Sequence, residues 1–238
     1  LEREEISMLL TGAEIVIECL KEQGVDTVFG YPGGMVTDLF DELYKQDSID
    51  VVLPRHEQGL IHAAEGYAKS TGKVGVCLVT SGPGATNIIT GLADAHYDSI
   101  PLVCFTGQVP LSLIGNDAFQ EVDIVGMTRS VTKYGVTVRR REDLGRIIKM
   151  AFYIASTGKP GPVLIDIPKD VTAKVTEYEK EYPGVYNREV IHSEEEDLKK
   201  AVEMIEEAQR PYIFVGGGAV LSEASKELYE FAQKVDAP

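Results

Sequence analysis

Several unbroken apolar runs in the chain lead directly into turns that are rich in glycine. The longest are Val74–Val79, which is followed by Ser81-Gly82-Pro83-Gly84, and Ile100–Phe105. Between such runs lie amphipathic segments, among them Glu57–Ser70, whose apolar residues recur at helical spacing. A strand that is apolar on both faces belongs to a sheet covered on both sides by helices, which is typical of parallel sheets. The pattern therefore predicts an α/β fold with a doubly wound, mostly parallel sheet.

The character of the chain changes twice, and these changes predict its domains. Residues 1–170 read as one doubly wound domain, in which ligands bind beyond the carboxyl ends of the strands. Residues 171–192 are polar, show no clear period and are expected to form a linker. Residues 193–238 contain two helical patterns around a short apolar run, Tyr212–Val215. One strand cannot form a sheet alone, so this part is interpreted as the truncated start of a second α/β domain.

The first helix of this second part is expected to begin at a capping box. Ser193 can accept a hydrogen bond from the amide of Glu196, while the Glu196 side chain reaches back to the amide of Ser193.

The charge balance argues against two classes of partner. The chain has 23 Lys and Arg against 38 Asp and Glu, for a net charge of −15. Nucleic acids and anionic membranes both require a basic surface, so neither is an expected partner. No run approaches the ~20 apolar residues that span a bilayer. Three isolated cysteines, Cys19, Cys77 and Cys104, are expected to be buried thiols in a reducing compartment, which favours the cytoplasm.

Individual motifs identify no chemistry when each is taken alone. Glu57 opens a predicted helix, where the helix field favours a carboxylate, but a first-turn glutamate is common without any function. The Ser81–Asn87 turn precedes a helix yet matches neither common nucleotide-binding pattern. His56, His62 and His96 lack the spacing of a metal site and are interpreted as structural or surface residues. No metal ligand is therefore predicted.

Taken together, six segments closely resemble the acetolactate synthases, a family of thiamine-diphosphate enzymes. They are GYPGG (30–34), RHEQG (55–59), GYAKSTGKVGVCLVTSGPGATN (66–87), DSIPLVCFTGQVP (98–110), IGNDAFQEVDIVG (114–126) and GKPGPVLIDIPKD (158–170). The resemblance implies that residues 1–170 are the pyrimidine-binding domain and that the central, FAD-associated domain begins after the linker.

The resemblance also implies a role for several residues. Glu57 is expected to be catalytic and to hydrogen-bond N1′ of the aminopyrimidine, which activates the cofactor. The other residues expected near thiamine diphosphate are Tyr31, Pro32, Gly34, Pro83, Asn87 and Gln120. Phe119, Gln120 and Lys169 are expected on the substrate side, and Lys159, Gly216, Gly217 and Gly218 near FAD. Lys159 stands where relatives have an arginine that contacts FAD, and Met35 stands where they usually have a small residue.

In this family a later domain with a GDG motif holds the diphosphate and Mg²⁺, and no GDG occurs in this chain. Relatives form the site between two subunits, which implies a homodimer or homotetramer and allows a small regulatory subunit.

The implied reaction is decarboxylation of pyruvate and condensation with pyruvate or 2-oxobutyrate, in valine, leucine and isoleucine biosynthesis. The alternatives are another 2-oxo-acid decarboxylase or oxidase, such as a pyruvate oxidase, and a binding module without catalysis. The 238-residue chain alone is expected to be inactive, and a cytoplasmic enzyme is favoured over a plastid form.

Overall fold

A computed structural model describes residues 7–179 and 192–238, which belong to two separate compact units. The first unit contains strands β1 (Ser7–Thr11), β2 (Thr27–Tyr31), β3 (Asp50–Val52), β4 (Gly75–Val79), β5 (Leu102–Gln108), β6 (Tyr134–Thr137), β7 (Pro162–Pro168) and β8 (Val175–Glu179). Its helices are α1 (Gly12–Glu22), α2 (Thr37–Tyr44), α3 (Glu57–Thr71), α4 (Pro83–Thr86), α5 (Ile89–Asp98), α6 (Ile124–Thr128), α7 (Leu144–Ser156) and α8 (Lys169–Ala173), with 3₁₀ turns at Leu111–Leu113 and Arg141–Asp143. Among the described helices, none has both the length and the apolar character needed to cross a membrane.

Six of these strands form one sheet in the order β3-β2-β4-β5-β7-β6, and every neighbouring pair is parallel. The predicted α/β fold with a mostly parallel sheet is thereby confirmed. All residues of β4, β5 and β7 are buried, which explains why these segments are apolar without alternation.

The core lies on both faces of this sheet. Helices α1, α2 and α7 pack on one face, and α3, α5 and α6 contribute to the core on the other. Cys77 and Cys104 pack on the second face, while Cys19 lies in α1 on the first, and all three are free and buried as expected. Burial raises the pKa of Cys19 to about 12 and the pKa of Cys77 well above its ordinary value, so neither is a reactive thiolate.

Part of the segment predicted as a linker is a strand. Within the predicted linker 171–192, β8 pairs antiparallel with β1 from Ser7↔Glu179 to Thr11↔Val175. The strand is held by Tyr178, whose hydroxyl is buried, donates to Glu22 Oε1 at 2.8 Å and lies 3.2 Å from Cys19 Sγ. The rest of the predicted linker, 180–191, lies outside the described residues.

The second unit contains helices α9 (Glu195–Glu207), α10 (Gly217–Leu221) and α11 (Ser225–Val235). The expectation of a strand at Tyr212–Val215 is wrong, since these residues are irregular and Ile213 N donates to Pro238 O at 3.0 Å. The described part of this unit has no neighbouring strand with which they could pair. The predicted capping box also does not form, because Glu194 is the N-cap of α9 and no side chain caps it.

Candidate active site

The glycine-rich turns meet at the carboxyl edge of the six-stranded sheet. From β2 the chain crosses to β3 on one side, and α3 then returns it to β4 on the other side. This reversal leaves a crevice between the ends of β2 and β4, which is the position where ligands bind in open α/β sheets. The turn 32–36 follows β2, the turn 80–82 follows β4, and Glu57 begins α3 beside them.

Glu57 and Asn87 are joined at this crevice. Asn87 Nδ2 donates to Glu57 Oε2 at 3.0 Å, and the Glu57 side chain is half-buried. The helix begins here because His56 is extended and its Nδ1 accepts from the amide of Gln58 at 3.1 Å. The first-turn position places the carboxylate in the favourable field of a 15-residue helix.

Asn87 reaches Glu57 because two helices, rather than one, follow the glycine turn after β4. Helix α4 ends at Thr86, Asn87 is its C-cap, and α5 starts only at Ile89. This interruption between α4 and α5 has no signal in the sequence, since no proline or glycine lies at 87 or 88.

Thr80 connects the two glycine turns and was not singled out in the sequence. A Cβ on Gly33 would lie 2.5 Å from Thr80 Cβ, and one on Gly84 would lie 2.9 Å from Thr80 Cγ2. The Thr80 hydroxyl also accepts from the amide of Met35 at 3.4 Å. Both turns therefore approach the end of β4 more closely than any side chain would allow, which holds open the space before Glu57. The signal available in the sequence was its position as the last residue before Ser81-Gly82.

Gln120 is brought to the same place by the long loop after β5. Gly82 and Gln120 both have positive φ, at 58° and 59°, and a Cβ on Gly82 would lie 2.7 Å from the Gln120 carbonyl oxygen. The loop is held by Glu121, which accepts from the amides of Gly115 and Ala118, and these hydrogen bonds lower the pKa of its carboxyl group. Phe119, which precedes Gln120, is 84% exposed.

A buried carboxylate that was not predicted from the sequence lies beneath this loop. Asp166 in β7 accepts from Thr106 Oγ1 at 2.8 Å, Thr137 Oγ1 at 3.0 Å and Gln108 Nε2 at 3.2 Å. Gln108 Nε2 also donates to the carbonyl of Val122 at 2.9 Å, which links the sheet to the loop of Gln120. Burial raises the pKa of Asp166 to about 6, and the hydrogen bonds from the three side chains only partly oppose this.

Other predicted site residues lie at the edge of this group or outside it. Tyr31, Pro32, Gly34 and Pro83 are exposed beside the crevice. Lys169 donates to Thr37 Oγ1 at 2.7 Å and Asp38 Oδ1 at 2.9 Å, so α8 is tied to α2.

The residues predicted near FAD do not lie together in the first unit. Lys159 Nζ donates to the carbonyl of His96 at 2.8 Å. Gly216 is the N-cap of α10 in the second unit, and Gly217 and Gly218 open that helix.

Comparison with known proteins finds relatives among the thiamine pyrophosphate enzymes. Residues 10–127 match the family described as thiamine pyrophosphate enzyme, N-terminal TPP binding domain, and residues 198–238 match the central domain of the same enzymes. The acetolactate synthase large subunit of Haemophilus influenzae is 49% identical over 234 residues, covering 96% of this chain and 41% of the relative. The chloroplastic acetolactate synthase of Arabidopsis thaliana is 49% identical over 231 residues, covering 95% of this chain and 34% of the relative. The acetolactate synthase of Mycobacterium bovis is 48% identical over 233 residues, with 96% and 37% covered.

The chain thus spans about two fifths of the length of the curated relatives it matches. The matched N-terminal TPP binding domain includes Glu57, Asn87, both glycine turns and the loop of Gln120. The chain therefore belongs to the thiamine-diphosphate enzymes, whose N-terminal and central domains it matches in sequence, and the similar proteins named above are acetolactate synthases.

Proposed function

We propose that this chain is part of an acetolactate synthase, in which it supplies the site for the pyrimidine half of thiamine diphosphate. The observation that carries the proposal is the half-buried Glu57 carboxylate, bonded to Asn87 and set before two glycine turns. The intact enzyme would decarboxylate one pyruvate and join the remaining two-carbon unit to a second pyruvate or to 2-oxobutyrate.

The residues present fit an aminopyrimidine. Asn87 occupies Glu57 Oε2, which leaves Oε1 on the side of Gly84, where a Cβ would come within 3.5 Å of it. The lack of a side chain at Gly84 keeps that oxygen accessible to a planar ring, and the turn of Gly33 and Gly34 borders the same space. When bound, thiamine diphosphate supplies the electron sink that decarboxylation of a 2-oxo acid requires.

Within this site Glu57 would hold the ring through Oε1 and exchange a proton with it at that oxygen. Asn87 would keep the carboxylate in one orientation, because an oxygen that accepts a fixed hydrogen bond cannot rotate away freely. Gln120 and Phe119 would border the substrate from the loop above the 81–84 turn. Tyr31, Pro32 and Pro83 would line the entrance, where they are exposed.

We also propose where the remaining cofactor groups of the enzyme would bind. We assign the diphosphate and Mg²⁺ to another domain, supplied by a second subunit of a homodimer or homotetramer, because the chain contains no GDG sequence. FAD would meet Gly216, Gly217 and Gly218, and Lys159 would first have to release the carbonyl of His96. The three buried free cysteines favour a cytoplasmic enzyme.

The test is made on the intact protein that contains this chain. Glu57→Gln should strongly slow hydrogen–deuterium exchange at C2 of bound thiamine diphosphate and reduce acetolactate formation in parallel, whereas the exposed Glu142→Gln should leave both unchanged. Unchanged exchange in Glu57→Gln would remove Glu57 from this role. If pyruvate yielded acetate or acetyl phosphate instead of acetolactate, the oxidase alternative would replace the proposal.

A further inference from the structure

Helices α3 and α5 bring together three side chains that the proposed reaction does not use. His62 Nδ1 lies 2.9 Å from Glu65 Oε2 and 3.8 Å from Asp94 Oδ2. One nitrogen or oxygen atom from each of these residues lies within 4.8 Å of the other two. His62 and Glu65 are three positions apart on α3 and therefore share a face, while Asp94 comes from α5. We call these three residues the His62 cluster.

Close packing of the two helices fixes the distance across this cluster. A Cβ on Gly91 would lie 2.2 Å from Ile61 Cγ2, so α5 can approach α3 at this point only because residue 91 is glycine. Asp94 follows Gly91 by almost one turn, and His62 is next to Ile61. One turn further along, Lys69 Nζ pairs with Asp98 Oδ2 at 2.9 Å. The helices are thus joined by two successive polar contacts, of which only the second contains a lysine.

The contact formed by the His62 cluster contains two carboxyl groups and only one group that can be positively charged. The Glu65 side chain is only 5% exposed, and its Oε1 is buried without a hydrogen-bond partner in the part of the chain that the structure describes. Burial raises the pKa of this carboxyl group, His62 opposes the shift, and the nearby Asp94 carboxylate adds to it. To be ionised, a buried carboxyl group that faces a second carboxylate needs a positive charge beside it, and His62 is the only residue of the cluster that can carry one.

The donor set and its spacing suit a metal ion. Imidazole with carboxylate oxygen is a common ligand set for Zn²⁺, with bonds of ~2.0–2.2 Å, which place two tetrahedral ligands ~3.4 Å apart. The observed separations of 2.9 and 3.8 Å lie on either side of that value. The His62 and Asp94 side chains are 40% and 51% exposed, so both can shift by the few tenths of an ångström that are required.

We propose that His62, Glu65 and Asp94 form a binding site for a divalent transition-metal ion such as Zn²⁺, separate from the pyrimidine crevice. The sequence spacing of His56, His62 and His96 predicted no such site, and in the described residues those three histidines do not cluster. The structure instead combines one of them with carboxylates from two helices. A metal ion here would clamp α5 to α3, the helix that begins with Glu57.

The test uses the untagged 238-residue chain after removal of metal with a chelator. Isothermal titration with Zn²⁺ should show one saturable site per chain, and its affinity should fall at least tenfold in His62→Ala and in Asp94→Asn. Asp98→Asn is the matched control, because it changes the same residue type on the same helix one turn away. His62→Ala and Asp94→Asn both alter exposed side chains, and circular dichroism should show that both variants are folded. Bound Co²⁺ should give the visible absorption of a mixed nitrogen and oxygen site in the parent and lose it in His62→Ala.

Three results would contradict the proposal. The first is no saturable Zn²⁺ binding, which would leave the His62 cluster as an ion pair alone. The second is equal affinity in Asp94→Asn and Asp98→Asn, which would place the ion elsewhere. Mg²⁺ binding as tight as that of Zn²⁺ would contradict the choice of a transition metal, since imidazole favours Zn²⁺. None of these results depends on acetolactate formation.

Discussion

Asn87 Nδ2 donates a 3.0 Å hydrogen bond to Glu57 Oε2, although the two residues are 30 positions apart. The bond crosses the crevice between β2 and β4, because Glu57 begins the helix that returns over β2 and Asn87 ends the short helix after β4. Only one oxygen of the Glu57 carboxylate is therefore engaged by this amide.

Loss of this amide should slow the proposed chemistry without abolishing it. A hydrogen bond to a charged group contributes ~1.5–3 kcal/mol, and half-burial of Glu57 favours the lower value. In the intact protein, Asn87→Ala should therefore reduce C2 exchange of bound thiamine diphosphate about tenfold. Gln233→Ala, which removes an exposed amide in the second unit, is the control. A rate equal to that of the parent would show that Asn87 does not orient Glu57.

Replacement of two glycines in neighbouring helices by alanine should change the free energy of unfolding in opposite directions. Gly91→Ala should lower the free energy of unfolding by ~1–3 kcal/mol, because its Cβ would overlap Ile61. Gly66→Ala in α3 should raise it by ~0.5–1 kcal/mol, since Gly66 is exposed and no atom lies within 4 Å of its new Cβ. Urea unfolding followed by circular dichroism measures both. Adding Ile61→Ala to Gly91→Ala should cost less than the sum of the single changes, and full additivity would mean that the overlap is relieved elsewhere.

The buried ion pair between Lys149 and Glu22 should be sensitive to the loss of one partner. Lys149 Nζ lies 3.2 Å from Glu22 Oε2, and the two side chains are 8% and 0% exposed. Lys149→Met should lower the free energy of unfolding by ~3–5 kcal/mol, because it leaves a buried carboxylate without its cation. The double variant Glu22→Gln with Lys149→Met should recover much of that loss. Lys45→Met, in an exposed pair with Asp41, should change little, and an equal cost at both positions would contradict the argument.

Because of Asp166, the free energy of unfolding should decrease as the pH rises through the mildly acidic range. Its pKa is raised from 3.8 to about 6 in the folded chain, so the folded state holds the proton more tightly than the unfolded state. Between these two values the free energy of unfolding should decrease with rising pH, by about 3 kcal/mol in total. Asp166→Asn should remove this slope, whereas the exposed Asp47→Asn should keep it. Urea unfolding from pH 4 to 6.5 gives the slope directly, and identical slopes in parent and Asp166→Asn would refute the assignment.

The sequence was informative wherever the physics is local or periodic. Continuous apolar runs such as Val74–Val79 indicated strands covered on both faces, and the parallel sheet follows from that. The start of α3 was predicted at Glu57, where the structure has it. Glycine turns after strands indicated the edge of the sheet at which the site is assembled.

Contacts between segments that are far apart in the sequence could not be predicted in the same way. Strand β8 has only five residues, and its place is decided by Tyr178 meeting Glu22 and Cys19 in α1. Tyr212–Val215 has strand-like residues but no strand beside it in the described part of its unit. Lys169 was expected on the substrate side, yet its ammonium group forms an ion pair with the carboxylate of Asp38. Its role remains a prediction.

The antiparallel pairing of β1 with β8 has a mechanical consequence. Ser7 faces Glu179, so the two chain ends of this ladder leave side by side, and a pull between them loads the pairs one after another. All five pairs would peel apart before tension reached the six-stranded sheet that carries Glu57 and Asn87. A force that enters along the chain would therefore open this two-stranded ladder before it disturbed the crevice of Glu57 and Asn87.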